Sequence, residues 1–227
     1  QMAGNATRCV AKYLYDNNIG GIADRHNKNE TTAEITLKTR AGIKKLKIYK
    51  LAGKTNTVSV NMGYPEFDPA KIPTTLKADQ VKLFDFKAIV NRKLPVGGKD
   101  YYVTCVNFGN PHCVVFCDFV DKVPVSEIGP QFENNKVFPE RINTEFVRVV
   151  GPNELKMRTW ERGNGETPAC GTGACAAVVA AVLNGYCKMN ENITVEVRGG
   201  KLTVMYDGKD VFLSGSTDML YSGEIEI

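Results

Sequence analysis

The chain is poor in the features that announce several common functions. No apolar run reaches the roughly 18 residues of a membrane-spanning helix, so no membrane partner is expected. Gln1 to Asp16 does not read as a secretory leader. There is no P-loop and no strand–GxGxxG–helix unit, which removes the usual signals of nucleotide binding. Neither charge sign dominates: 29 Lys and Arg face 25 Asp and Glu, for a net charge of +4. The densest basic cluster, Lys44, Lys45 and Lys47, alternates partly with apolar residues and reads as the wet face of a strand, so no nucleic-acid partner is expected. Tryptophan occurs once and histidine twice. The seven cysteines are an odd number without a paired spacing, which predicts a reducing, cytoplasmic setting. His112, Cys113 and Cys117 alternate along one strand with no second cluster to complete a ligand set, so no metal site is expected.

What the chain does have is a globular composition, 43% hydrophobic and 24% charged over 227 residues, enough for one large or two small domains. Its most informative stretch is Trp160 to Tyr186, WERGNGETPACGTGACAAVVAAVLNGY. Glycines at 163, 165, 171 and 173 allow tight bends and close backbone approach. Ala174 to Leu183 carries no glycine, proline or charge, so it predicts a helix buried on all sides. A helix start behind such a turn offers free N–H groups and the positive end of the macrodipole to an anion. Cys170 stands at that start, where a thiol pKa is expected to be lowered. The other six cysteines read as structural.

Taken in order, the chain predicts a helix following a Gly-Asn turn and ending at Asp16. Strands follow at 33–37, 43–49, 55–62, 81–86, 101–108 and 113–116. A short helix at 126–133 and strands at 145–150 and 155–160 lead to the Cys170 turn. The first part then recurs. Ala3-Gly4-Asn5-Ala6 corresponds to Cys170-Gly171-Thr172-Gly173, Ile35 to Gly42 corresponds to Ile193 to Gly200, and Val58 to Gly63 corresponds to Val211 to Ser216. The fold expected is therefore α/β (α+β), two similar pseudo-symmetric domains at 1–98 and 99–227. Each is a mainly antiparallel barrel or sheet around a central helix, and the extreme C-terminal strand returns to the first domain. By the same analogy about 65–70 residues of a first copy would lie ahead of Gln1, leaving that domain incomplete.

Two symmetric turns facing each other suit inversion of a carbon acid, in which one face loses a proton and the other gains one. Two helix starts could jointly stabilise the carboxylate as it takes enediolate character. On this logic the second acid/base group falls at Ala3, which cannot transfer a proton. His112, beside Asn110 in Gly-Asn-Pro-His, is either a satisfied structural group or a catalytic one. Glu161-Arg162 is either an exposed ion pair or a clamp for a charged ligand. Trp160 reads as packing.

GNPHCVVF, FPERINTEF and ERGNGETPACGTGACAA together resemble diaminopimelate epimerase, and VNMGYPEF and the GNATRC opening agree. The likeness runs over essentially the whole chain. It implies a cytoplasmic, cofactor-independent isomerase of lysine and peptidoglycan precursor synthesis that interconverts LL- and meso-diaminopimelate, a small-molecule substrate, with two cysteines as acid and base. Cys170 would be one of the pair, with His112 and Glu161 assisting. Gly4, Asn5, Asn110, Asn143, Glu161, Arg162, Gly171 and Thr172 would hold the substrate. A homodimer is the expected assembly. The family's second cysteine falls at Ala3, and its N-terminal segment falls ahead of Gln1, so this chain is expected to be inactive or impaired. The alternatives are an inactive amino-acid-binding member of the fold and an epimerase or racemase for another amino acid.

Overall fold

The computed structural model describes residues 4–27, 29–39, 42–82, 84–219 and 223. Helix α1 runs Gly4–Asp16 and is followed by three long antiparallel strands, β1 (Thr32–Thr39), β2 (Gly42–Leu51) and β3 (Lys54–Gly63). Next come the short β4 (Asp79–Gln80), then β5 (Lys87–Val96), β6 (Lys99–Asn107) and β7 (Pro111–Phe116). Helix α2 (Val125–Glu133) leads to β8 (Asn143–Gly151), β9 (Glu154–Glu161) and β10 (Gly165–Thr167). Helix α3 (Gly171–Leu183) and strands β11 (Ile193–Val197), β12 (Gly200–Tyr206) and β13 (Val211–Ser216) complete the order. The strands form one large mixed sheet, β1-β2-β3-β13-β12-β11-β9-β8-β7-β6-β5-β4, with β10 paired to β9.

Helix α3 lies inside this sheet, and all its residues are buried. Its side chains are Ala, Val, Gly, Thr, Cys and Leu, with no charge to bring to water, so strands can cover every face. By contrast α1 covers one face only: Ala11 and Tyr15 are buried, while Val10 and Tyr13 are about half exposed. The apolar runs of β6 to β8 are explained by burial on both sides. Val106, Val114 and Val147 face the core around α3, whereas Cys105, Cys113, Val115 and Phe146 face a second core under α2 that includes Phe132 and Ile142. Residues 112, 143, 145, 159 and 161 share the α3 side with these valines by strand alternation.

The expected repeat has a direct structural expression. Its strands appear in mirrored order, β1-β2-β3 against β13-β12-β11, and the corresponding strands β3 and β13 pair antiparallel at the centre. The shift that carries Val58 onto Val211 carries Val60 onto Leu213, and these two residues are cross-strand partners. A pseudo-twofold axis therefore passes between Val60 and Leu213, both fully buried. Arg40 and Ala41, part of the sequence match, lie outside the described residues.

One expected strand is corrected. The described residues 81, 82 and 84–86 form no strand; Val81 N–H bonds to Phe86 O at 3.1 Å and Phe84 N–H to Val81 O at 3.1 Å, and residue 83 lies outside the described residues. Phe86 packs instead of pairing: it stacks on Phe67 with centroids 4.5 Å apart. The strand forms just after it, as β5, which a sequence reading misses because Asn91 bulges out with φ 50° and Pro95 interrupts the pattern. Because Leu213 lies on the pseudo-axis with no exposure, Leu213→Ala should cost about 2–5 kcal/mol. Urea unfolding followed by far-ultraviolet dichroism would show the loss as a lower midpoint.

Candidate active site

The two helix starts meet over Leu213. A side-chain carbon added at Gly4 would lie 2.7 Å from Leu213 Cδ2, and one added at Gly171 would lie 3.1 Å from the same atom. These are corresponding glycines of the repeat, so a single methyl group on the pseudo-axis touches both turns. Added at Gly171, that carbon would also stand 3.1 Å from Asn5 Oδ1, so the Gly-Asn turn of α1 is stacked against the Cys-Gly-Thr turn of α3. Arg8, buried in α1, donates from Nη1 to Asn5 Oδ1 at 3.0 Å and fixes that side chain. Ala3, which corresponds to Cys170, lies outside the described residues.

Cys170 is the N-cap of α3. Its sulfur accepts from Gly173 N–H at 3.3 Å and lies 3.5 Å from Thr172 Oγ1. Asn110 Nδ2 donates to Thr172 Oγ1 at 3.1 Å, which ties the β6–β7 turn to the helix start. His112 and Glu145, on neighbouring parallel strands β7 and β8, are both without exposure. The His112 Nδ1 lies 2.8 Å from Glu145 Oε1. A carboxylate can only accept, so Nδ1 is the donor of this bond. His112 Nε2, Glu145 Oε2 and Asn110 Oδ1 are buried with no hydrogen-bond partner among the described residues. Such atoms are costly unless used, and they concentrate here. Glu145 Oε1 is 2.7 Å from where a Gly173 side chain would begin, so the carboxylate lies on the first turn of α3.

Other expected site residues take distinct positions. Asn143 is buried and occupied at both ends: Nδ2 donates to Pro111 O at 2.7 Å and Oδ1 accepts from Arg162 N–H at 2.9 Å. Glu161 and Arg162 do not pair with each other. The Glu161 carboxylate accepts from Thr167 Oγ1 and has no cation partner among the described residues. Arg162 Nη1 donates to Glu140 O at 2.8 Å. Glu166 is instead clasped by Arg158 at 2.8 and 3.1 Å and belongs to the frame.

Sequence comparison gives this geometry a family. The diaminopimelate epimerase family model matches residues 104–219. A diaminopimelate epimerase from Agathobacter rectalis is 44% identical over 229 residues, spanning all of this chain and 76% of its own. One from Desulfovibrio desulfuricans is 42% identical, spanning all of this chain and 75% of its own. The chain belongs to the diaminopimelate epimerase family. The fold is also that of a probable proline racemase from Agrobacterium radiobacter, at 12% identity and a TM-score of 0.65 over all of this chain and 68% of that one. A hydroxyproline epimerase from Agrobacterium vitis matches at 13% identity with a TM-score of 0.61, over 92% of this chain and 62% of that one. The fold of these neighbours has two pseudo-symmetric domains.

Membership in the diaminopimelate epimerase family makes the protonation of Cys170 worth settling, and here the sequence expectation is overturned. The thiol is not activated downward but pushed up to about 12. Burial is the largest cause, followed by the charges of Glu145 and Glu161; the bonds from Thr172 and Gly173 pull the other way and lose. Glu145 is also the residue that sequence reading misses. It resembles any polar start of a strand, and only the parallel pairing of β7 with β8 reveals it beside His112. A groove of about 740 Å³ on the open face of β1, β2, β3 and β13 contains none of the residues around Cys170.

Among the described residues, no cluster of His, Cys, Asp and Glu could hold a metal ion, and no helix is long and apolar enough to cross a membrane. A thiol near 12 remains neutral where a free thiol near 8.5 ionises. Alkylation of Cys170 by iodoacetamide should therefore climb about tenfold per pH unit from pH 8 past pH 10. A free cysteine-containing peptide serves as the reference, its rate levelling off above the ordinary thiol pKa of about 8.5. Glu145→Gln removes one of the opposing charges and should shift the Cys170 profile to lower pH, read by peptide mass spectrometry.

Proposed function

We propose that this chain binds diaminopimelate where the α1 and α3 starts meet, and that Cys170 exchanges the α-proton on one face of it. The observation that carries the reading is the buried thiol at the start of α3, flanked by Glu145 and Glu161 and stacked through Gly171 on the Asn5 turn of α1. Gly171 and Thr172 from one half, with Gly4 and Asn5 from the other, present backbone N–H groups to the substrate α-carboxylate, which gains negative charge as the proton leaves. Glu161, a carboxylate without a cation among the described residues, takes the α-ammonium, and Arg162 takes a carboxylate.

The raised thiol pKa fits this chemistry. In the empty site Cys170 holds its proton and is a donor. An ammonium docked on Glu161 cancels one of the two charges that keep the proton on sulfur. The thiol then approaches the range in which it can serve as acid and base. His112, anchored on Glu145, is assigned the proton that leaves the thiol when the sulfur acts as base. In the two-base reaction, proton transfer from Cα to the Cys170 thiolate is matched by delivery from a second thiol on the opposite face. At Ala3 there is none. The expectation for this chain is therefore exchange without inversion.

The test is direct. In deuterated water the chain should place deuterium at the α-carbon of one diaminopimelate stereoisomer with its configuration retained, and Ala3→Cys should raise epimerisation by orders of magnitude. Proton spectroscopy and chiral chromatography read the two outcomes. Absence of exchange in both isomers, with or without Ala3→Cys, refutes the assignment of Cys170. Calorimetric binding of diaminopimelate without any exchange supports the alternative of an amino-acid-binding member of the fold.

A further inference from the structure

Glu133 is a buried carboxylate in an unfavourable place. It is 5% exposed and ends α2, where the helix C-terminus repels negative charge. Burial adds a desolvation cost, so the position demands compensation. Three donors supply it: Trp160 Nε1 at 2.6 Å, Gly163 N–H at 2.9 Å and Arg141 Nη1 at 3.0 Å. The Arg141 side chain is about half exposed, so its contribution is weak and the two contacts to the 160–163 segment dominate.

Those two contacts act on the end of β9. Strand alternation puts Glu161 on the α3 side with Cys170 and Trp160 on the opposite side, against the α2 core. The turn that follows is closed by Asn164 N–H to Glu161 O at 2.9 Å, with Gly163 at φ 81°. Glu133 thus grips the back of a strand end whose front carries Glu161. Four residues earlier on the same helix face, Gly129 leaves room for the indole: a side-chain carbon there would lie 2.4 Å from Trp160 Cδ2. Glycine at 129 and glutamate at 133 form one seat for Trp160.

We infer that Glu133 is a positioning residue, a carboxylate that reaches through Trp160 and the Gly163 amide to fix the Glu161–Arg162 turn for its charged ligand. The inference takes from the proposed function only the assignment of that turn as the clamp for diaminopimelate.

The test compares the chain with Glu133→Gln and Glu133→Leu. Backbone amide exchange at Arg162 and Gly163 should accelerate at least tenfold in both variants, while α3 amides stay protected and certify the fold. If Glu133→Leu fails to fold, Glu133→Gln alone decides. Trp160 is the single tryptophan, so its fluorescence reports the seat without a label. Its emission should respond to diaminopimelate in the unmodified chain, and the Gln variant should lose that response even at saturation while its affinity falls about tenfold. Arg141→Met should leave all three readouts unchanged. Unaltered protection of Gly163 in both Glu133 variants overturns the inference. So does a loosened turn with unchanged affinity and unchanged fluorescence response. Failure of the unmodified chain to bind diaminopimelate refutes the functional reading instead, and amide exchange then judges Glu133 by itself.

Discussion

The structure depends on the antiparallel pairing of β3 with β13. That pairing joins two copies of one unit through strands that correspond in the repeat, and it places Val60 opposite its own counterpart, Leu213. A pair of like strands joined in this way generates a local twofold. Everything related by the repeat must then be related by that axis. The helix starts follow: Gly4 and Gly171 both rest on Leu213 because the axis passes through that side chain's neighbourhood. Glycine is required at both positions by contact rather than by backbone angle, since neither has a positive φ. The consequence for function is that two helix N-termini converge on one small volume, an arrangement neither half could make alone.

The parts of this plan that are periodic or local were legible in the sequence. Helix α3 was visible because Ala174 to Leu183 carries no glycine, proline or charge, and the recurrence of Ile-Thr before Arg-x-Gly exposed the repeat. What was not legible depends on partners distant in the chain. The β5 strand was hidden by a bulge at Asn91, whose amide is held by Thr104 Oγ1 at 3.2 Å, a contact no local pattern encodes. Glu145 gave no signal because its meaning comes from parallel pairing across β7 and β8, and parallel neighbours are separated by whole elements. Asn143 came forward only through the family resemblance, and its bonding partners did not come with it. Its side-chain amide engages Pro111 and Arg162, binding three segments together.

The failed expectation for Cys170 is instructive for the same reason. A helix start and a glycine turn can be read from a dozen residues, and they argue for a stabilised thiolate. The opposing influences come from elsewhere: Glu145 from β8, Glu161 from β9, and the enclosure of the site by strands. Helix-terminus effects are typically about 0.3–1 kcal/mol at exposed sites and reach about 2 kcal/mol when partly buried. Desolvation of a buried group can shift its pKa by up to about 3–5 units. The larger influence wins, and the local argument fails in sign.

That outcome changes what kind of site this is. A thiol already ionised in the empty enzyme would be exposed to alkylation and oxidation whenever no substrate is bound. One kept neutral by burial and by two carboxylates is protected, and on the proposed function its activation is tied to the arrival of a cation. An amino acid is such a cation at its α-carbon, and Glu161 is a carboxylate placed near the sulfur with no cation of its own among the described residues. In the proposed function, the ammonium of the substrate is then also the charge that releases the base. On that proposal selectivity and activation are one electrostatic event, and an anion lacking the ammonium is expected to enter the site without switching it on. The orientation of Glu161 matters accordingly, because a carboxylate displaced from the sulfur by a few ångströms would couple less strongly to both charges. A strand end held from its far side by α2 keeps that coupling in place.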